Sequence, residues 1–106
     1  MKPDRVLSML GIAAKAGSVA SGEFSTEKAV KEGRAYLVIV AQDASDNTKK
    51  MFRNMTDFYQ VPMYEYSDKE MLGHFIGKEF RASLAVTKRG TVALDRRETE
   101  TAITTE

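Results

Sequence analysis

The residues of this chain most able to bind a charged ligand lie around the start of one short helical pattern. Gly22 opens the pattern, and Phe24, Ser25 and Lys28 follow it within two turns. The first N–H groups of a helix have no partner inside the helix and attract phosphate. Glycine lets a nucleic-acid backbone approach closely, serine can reach a base edge, phenylalanine can stack on an unpaired base, and lysine can contact phosphate. This combination predicts a nucleic-acid site without a catalytic residue.

A purely structural interpretation of the same residues stays open from the sequence. Gly22 would only start the helix, Phe24 would pack against the core as a hydrophobic staple, and Lys28 would be solvated. In the binding interpretation, Lys15 and Arg34 add supporting charge to the site.

A second basic segment, the loop 77–82, could form the opposite side of such a site. In the predicted order of elements this loop can return near the start of the second helix, where Lys78 or Arg81 would contact phosphate. The alternative is an ordinary exposed loop with Phe80 packed inward.

The composition argues against an enzyme. The chain has no cysteine, which excludes disulfides, thiolate nucleophiles and cysteine metal sites, and its one histidine, His74, argues against a histidine metal site or a proton relay. No paired carboxylates, phosphate-loop signature or dinucleotide-binding signature is present. We therefore expect no catalytic residue, no metal and no cofactor.

The charge and hydropathy of the chain limit its partners. The 106 residues have a net charge of +1, and the segment 95–106 carries −2, which leaves +3 on residues 1–94. This balance fits a compact site with few phosphate contacts. No run approaches the ~20 apolar residues of a membrane span, and the N-terminus does not resemble a signal peptide. We expect a cytoplasmic protein with no membrane partner.

Apolar periodicity and turn residues predict alternating helices and strands, and hence a three-layer α/β/α sandwich with a small central mixed sheet. Residues 1–95 would form this single domain, followed by a frayed polar tail at 96–106. The predicted helices are 4–16, 22–32, a third from 45 or 46 to 58 or 59, and 67–77. The predicted strands are 36–41, 61–66 and 82–87. Residues 18–21 are a minor strand or a turn, 88–90 are a turn, and 91–95 are a candidate for a last short element.

The same periodicity predicts which side chains face the core and which are structural. The predicted core positions of the four helices are Val6, Met9, Leu10 and Ala13, then Thr26, Ala29 and Val30, then Thr48, Met51, Phe52 and Met55 with Phe58 or Tyr59, and finally Met71, Leu72 and Phe75. A capping box starting at Ser67 would begin the fourth helix. We interpret Lys49, Lys50 and Arg53 as a solvated face, and Asp43 as a turn or cap residue.

Several segments, taken together and in order, resemble one known family, although none is specific alone. These are residues 10–17, Gly22 with 28–30 and 33–35, 37–45, 47–50, Val61-Pro62, 72–73 and 76–78. Over about residues 4–95 the chain resembles the ribosomal protein family of the L7Ae, L30e and Gadd45 type, most closely its small bacterial YlxQ-like members.

The resemblance implies an α/β/α sandwich that binds kink-turn RNA, a sharply bent duplex with tandem sheared G·A pairs beside a three-nucleotide bulge. In the family, a Gly-x-Asn-Glu-x-x-Lys motif at the start of the second helix enters the groove at the G·A pairs, which the bend widens. The loop before the last strand holds the bulged nucleotides. The resemblance thus implies a non-enzymatic RNA-binding protein of ribosomal-protein type. We expect it to be a monomer whose partner is structured RNA and not DNA.

The family motif is only partly present. Gly22 and Lys28 match its glycine and lysine, whereas Phe24 and Ser25 replace the asparagine and glutamate that read guanine edges. A bidentate contact contributes about 1–3 kcal/mol of discrimination in DNA recognition. We therefore expect weaker binding or an altered specificity, with Phe24 stacking on a base.

The loop before the last strand matches the family in position. Its candidate RNA contacts are Lys78, Arg81, Ala82 and Ser83. The departures from the motif leave an alternative function open, a ribosome- or translation-associated protein–protein adaptor that has lost tight kink-turn binding. Its contact surface would be an apolar patch formed by Phe24 and Phe80.

Overall fold

The computed structural model describes residues 4–87, so the sequence predictions for 88–90, 91–95 and 96–106 lie outside the described residues. The described elements agree in type and order with those predicted, and residues 18–21 contain a strand rather than a turn. The elements are α1 (Arg5–Lys15), β1 (Val19–Ser21), α2 (Glu23–Lys31), β2 (Ala35–Val40), α3 (Asp46–Phe58), β3 (Met63–Glu65), α4 (Lys69–Phe75) and β4 (Ser83–Thr87).

The strands form one mixed sheet in the order β1-β4-β2-β3. β4 is antiparallel to both of its neighbours, whereas β3 is parallel to β2 and is reached through the crossover helix α3. α2 packs on α3, and α1 packs on α4, so the sheet lies between two helical layers. The predicted α/β/α sandwich with a small mixed sheet is confirmed.

The core lies on both sides of β2. Its continuous apolar sequence is typical of a strand that is covered on both faces, and Leu37, Val38 and Ile39 are fully buried. On α2 the predicted core residues Thr26, Ala29 and Val30 are also fully buried. The buried face of α2 therefore fixes this helix on the sheet and leaves its other side available for contacts.

Acidic and hydroxyl side chains begin three of the described helices. The Asp4 carboxylate accepts a hydrogen bond from the Leu7 N–H at 2.9 Å, and its other oxygen accepts one from the Tyr66 hydroxyl at 2.8 Å. Ser45 Oγ accepts from the Thr48 N–H at 3.1 Å. Asp43, in the turn after β2, accepts from the Lys69 N–H of the fourth helix at 2.9 Å, which agrees with its interpretation as a turn or cap residue.

The predicted capping box at Ser67 is wrong by one residue. The N-cap of α4 is Asp68, whose carboxylate accepts from the Met71 N–H at 2.8 Å. Ser67 instead has a left-handed backbone with φ of 60°, and its carbonyl accepts from the Gln42 N–H at 2.8 Å. This turn leads the chain from β3 toward the end of β2, which places the serine outside the helix.

Several predicted core positions are also wrong. In α3 the exposed fraction of Phe58 is 79%, because the helix ends there beyond the sheet, and its ring meets Tyr59 edge-on. Thr56 occupies the buried position instead, and its hydroxyl donates to the Phe52 carbonyl at 2.7 Å. Met71 in α4 is likewise exposed.

α1 shows a smaller shift of the same kind, with Leu7 rather than Met9 fully buried. A single strip of apolar residues therefore indicates the buried side of each helix only to within about one position, because the neighbouring helix decides the exact contact.

The basic residues of α3 are partly neutralised. Lys49 forms an ion pair with Glu65 of β3 at 3.4 Å, and Arg53 pairs with the other oxygen of the same carboxylate. The interpretation of this group as a structural, solvated face agrees with these contacts. In the part of the chain that the structure describes, no helix is long and apolar enough to cross a membrane.

Candidate nucleic-acid interface

An open groove lies where β1, α2 and the loop before β4 meet, and its volume is about 510 Å³. The groove is built from residues between positions 19 and 34 and from a second segment, 78–81, that lies far along the chain. Its lining residues are Val19, Ala20, Ser21, Phe24, Ser25, Lys28, Arg34, Lys78 and Arg81. The structure thus brings together six of the ten residues that the sequence singled out.

Gly22 holds the start of α2 against the last described strand. Its N–H donates to the Ser83 carbonyl at 2.9 Å, and its carbonyl accepts from the Thr26 N–H at 3.0 Å. As the N-cap it has no side chain to accept from the N–H groups of residues 23 to 25 in between. These N–H groups are the unpaired donors of the helix start, which can bind phosphate or a base edge.

The backbone of Gly22 requires glycine. With φ of 93° and ψ of 162°, the residue lies in a region that other residues almost never adopt. Space is not the limit, because no atom lies within 4 Å of the position of an added Cβ.

The variant Gly22→Ala is therefore expected to lower the free energy of unfolding by about 1–3 kcal/mol through backbone strain alone. Urea unfolding would measure the loss, and Ser25→Ala, a substitution on the same exposed helix start, is the control. A variant as stable as the unchanged protein would contradict the strain argument.

Phe24, Ser25 and Lys28 all lie on the exposed side of α2. The exposed fraction of Phe24 is 77%, so the staple interpretation of this residue is wrong. Among residues 4–87, no acidic side chain pairs with Lys28. The solvated aromatic ring and the unpaired ammonium group both line the groove.

The loop before β4 is fixed to α4 by backbone hydrogen bonds. The Lys78 N–H donates to the Gly73 carbonyl at 2.8 Å, and the Arg81 N–H donates to the Lys69 carbonyl at 3.0 Å. Phe80 has an exposed fraction of 67%, so the alternative interpretation of this loop, in which the ring packs inward, is wrong. The loop therefore holds Lys78 and Arg81 on a defined backbone at the edge of the groove.

The Arg81 guanidinium is oriented by two hydrogen bonds. Its Nε donates to Ser21 Oγ of β1 at 3.2 Å, and its Nη1 donates to the Phe80 carbonyl at 2.9 Å. Ser21 was not among the predicted site residues. No local signal could have found it, because its contact with Arg81 joins residues 60 positions apart.

The charges of the groove are all positive. Lys28, Arg34, Lys78 and Arg81 line it, and no aspartate or glutamate is among the lining residues. Arg34 pairs with Glu32 at 2.9 Å. The groove thus gathers four cations and no acid in a chain whose net charge is +1, which raises the local concentration of anionic ligands.

Four predicted contact residues are not among the lining residues, and one of them is Gly22, which precedes the lining part of α2. Ser83 is a correction, because its side chain is buried and its hydroxyl donates to Thr26 at 3.5 Å. Ala82 packs against the core, and its carbonyl accepts from the Ala41 N–H at 2.8 Å. Lys15 is exposed at the end of α1, outside the lining.

The described residues contain no group of three or more His, Cys, Asp or Glu side chains that could hold a metal ion. His74 lies exposed on α4 with its ring edge-on to Phe75 at 5.5 Å. The groove accordingly offers hydrogen-bond donors, cations and one aromatic ring, which are groups that can bind an anionic or aromatic ligand.

The family model described as the Ribosomal protein L7Ae/L30e/S12e/Gadd45 family matches residues 4–94. The chain belongs to this family. It is 40% identical over 82 residues to the RNA-binding protein YlxQ of Bacillus subtilis, covering 77% of this chain and 82% of that protein. This is a family of ribosomal and RNA-binding proteins rather than of enzymes, which confirms the family resemblance and the prediction of a non-enzymatic protein.

Two further comparisons, one of sequence and one of structure, agree with this assignment. The large ribosomal subunit protein eL30 of Methanosphaerula palustris is 35% identical over 79 residues, which are 74% of this chain and 80% of that protein. The solved structure of the Giardia lamblia 15.5kD RNA binding protein superposes with a TM-score of 0.71 over 94% of this chain and 79% of that chain. At 19% identity this second likeness concerns the fold alone.

Proposed function

We propose that this member of the L7Ae family binds kink-turn-like structured RNA in the groove between the start of α2 and the loop before β4. The observation that carries the proposal is the convergence of these two segments on one groove whose four charged lining residues are all cations. The YlxQ relative is named as an RNA-binding protein, and the family resemblance supplies the kink-turn as the class of target.

The binding groups have distinct roles in this proposal. The free N–H groups that follow Gly22 and the Ser25 hydroxyl face the groove of the bent RNA, and Lys28 contacts phosphate one turn further along. Lys78 and Arg81 contact the backbone of the bulged nucleotides, and Arg34 adds charge. Phosphate contacts position the RNA, while the few base contacts provide selectivity.

The mechanism that we propose is conformational capture. A kink-turn RNA exists as extended and kinked conformers, and a protein that binds the kinked conformer better shifts the population toward it. The groove suits this mechanism because backbone hydrogen bonds fix both of its sides, the start of α2 and the loop before β4. We place the protein in the bacterial cytoplasm as a monomer, with neither DNA nor membranes as partners.

A titration into a standard kink-turn RNA tests the proposal, with a second RNA in which the G·A pairs are disrupted as the control. Fluorophores on the two arms of the RNA would report the kinked conformer by energy transfer. We expect kinking and salt-sensitive binding with the first RNA and a large loss of affinity with the second. Equal affinity for both RNAs would contradict kink-turn recognition.

A protein–protein adaptor is the second candidate. The exposed rings of Phe24 and Phe80 favour it, because apolar side chains on the surface can bind another protein. The salt dependence separates the two functions, since RNA binding falls steeply with salt and an apolar protein contact does not.

A further inference from the structure

Phe24 is exposed in a way that protein stability does not explain. Its ring has an exposed fraction of 77%, although Thr26 and Ala29 on the opposite face of the same short helix are fully buried. An apolar side chain stabilises a fold only when it leaves water. Phe24 therefore contributes little to folding, and its place in the groove points to a ligand.

The surroundings of Phe24 indicate which kind of ligand. The ring shares the groove with Lys28, Arg34, Lys78 and Arg81, and no acidic residue lines it. An apolar protein surface would remove water from these cations without compensating their charge. A nucleotide fits both features, because its phosphate pairs with a cation and its base offers a flat face to the ring.

The dimensions of the groove fit one nucleotide beside the ring. Phe24 and Lys28 are four residues apart on a helix, so they are neighbours on one face. The groove volume of about 510 Å³ lies in the range of about 300–1,000 Å³ of pockets that hold small organic ligands. A base in a continuous duplex has both faces covered by its neighbours, so only an unstacked base can meet the ring.

We propose that Phe24 stacks on an unpaired base that has left its helix, and that this contact decides which RNAs the groove selects. This inference rests on the proposed function and deepens it, because it assigns to Phe24 a contact with an extruded base that lies beside a phosphate held by Lys28. Stacking tolerates every base, since each has a π-face. Ser25 is the groove-lining neighbour of Phe24 with a hydroxyl for the base edge, so discrimination between bases is modest.

A double-mutant cycle between the protein and the RNA tests the stacking. The variants are Phe24→Ala, Phe24→Leu and Phe24→Tyr, and the RNAs are a kink-turn and three versions with one abasic nucleotide in the bulge. Phe24→Ala is expected to lower affinity about 5- to 150-fold, the range of one base–aromatic stack. Phe24→Leu behaves similarly because it lacks a ring, and Phe24→Tyr retains affinity.

The decisive result is the coupling between the ring and one base. One of the three abasic RNAs is expected to bind the unchanged protein more weakly, by about the factor that Phe24→Ala causes. The same abasic RNA should not weaken binding to the Phe24→Ala variant any further, because that variant has already lost the stacking contact. Phe58→Ala removes an equally exposed ring outside the groove and serves as the matched control. Equal losses with every abasic RNA in both proteins, or full affinity of Phe24→Ala, would overturn the inference.

The same titrations separate failure of this inference from failure of the proposed function. If an RNA with disrupted G·A pairs binds as well as the intact kink-turn and still shows coupling between the Phe24 ring and one base, stacking is supported and kink-turn recognition is refuted. Kink-dependent binding without coupling would refute stacking alone. If the unchanged protein binds none of the RNAs, both proposals are refuted and a protein partner of the groove takes their place.

Discussion

The triple variant Lys28→Ala/Lys78→Ala/Arg81→Ala is expected to bind structured RNA about 10²- to 10³-fold more weakly than the unchanged protein at low salt. All three side chains line the groove, and within residues 4–87 none of them forms an ion pair with an acid. If each phosphate contact contributes about 1–1.5 kcal/mol, three lost contacts give this factor.

The salt dependence is the second expected change. Three phosphate contacts predict that the unchanged protein loses roughly 20- to 40-fold in affinity between about 50 and 200 mM salt. Each substitution lowers the slope of log affinity against log salt by about 1, so the triple variant should be almost insensitive to salt. Fluorescence anisotropy at several salt concentrations measures both quantities.

A matched triple variant distinguishes RNA binding in the groove from attraction of RNA by the net charge of the protein. Lys15, Lys31 and Lys50 are also exposed lysines, and none of them lines the groove. Lys15→Ala/Lys31→Ala/Lys50→Ala removes the same net charge, so its affinity should remain within about threefold if the RNA contacts are in the groove. A loss as large as that of the groove variant would show that net charge, and no particular surface, attracts the RNA.

The elements that form the groove were predictable because local patterns determine them. The buried residues Thr26, Ala29 and Val30 repeat at helical spacing, and the apolar run of β2 indicates a strand covered on both faces. The basic residues of the loop before β4 and the predicted order of elements indicated this loop as the second side of the site, and the family resemblance agreed in position. Together these signals located Lys28 and Arg81 on a common surface.

Individual side-chain positions were harder to predict, because residues of one type lie in opposite environments. Ser25 is exposed in the groove, whereas Ser83, predicted as a contact, is buried beneath it. Phe52 is fully buried, and Phe58, six residues further along the same helix, is exposed. Such differences in burial depend on where the neighbouring helices and strands end in space, and a local sequence pattern does not contain that information.

The variant Gly73→Ala is expected to lower the stability of the protein and its affinity for RNA together. In a helix, alanine is normally favoured over glycine by about 1 kcal/mol. At this position an added Cβ would overlap the carbonyl oxygen of Glu79 and lie 3.2 Å from the Phe80 nitrogen. Overpacking of this kind costs about 1–3 kcal/mol or more, so the usual sign is reversed.

The effect on binding follows from the position of the loop. Residues 78–81 lie directly on the α4 backbone, where the Gly73 carbonyl accepts from the Lys78 N–H and the Lys69 carbonyl from the Arg81 N–H. A methyl group at Gly73 must therefore displace the segment that carries Lys78 and Arg81, two of the four cations of the groove. Affinity should fall toward that of Lys78→Ala/Arg81→Ala, although every cation is still present.

Gly11→Ala serves as a milder comparison variant. There the added Cβ would lie 3.0 Å from the Phe75 carbonyl oxygen, which is a tight contact rather than an overlap. We expect a smaller change in the urea midpoint for this variant and unaltered RNA affinity, since α1 does not line the groove. A Gly73→Ala protein with full stability and full affinity would show that the loop can move away without loss. The groove would then be shaped by the RNA on binding, instead of being held ready by the close approach of this loop to α4.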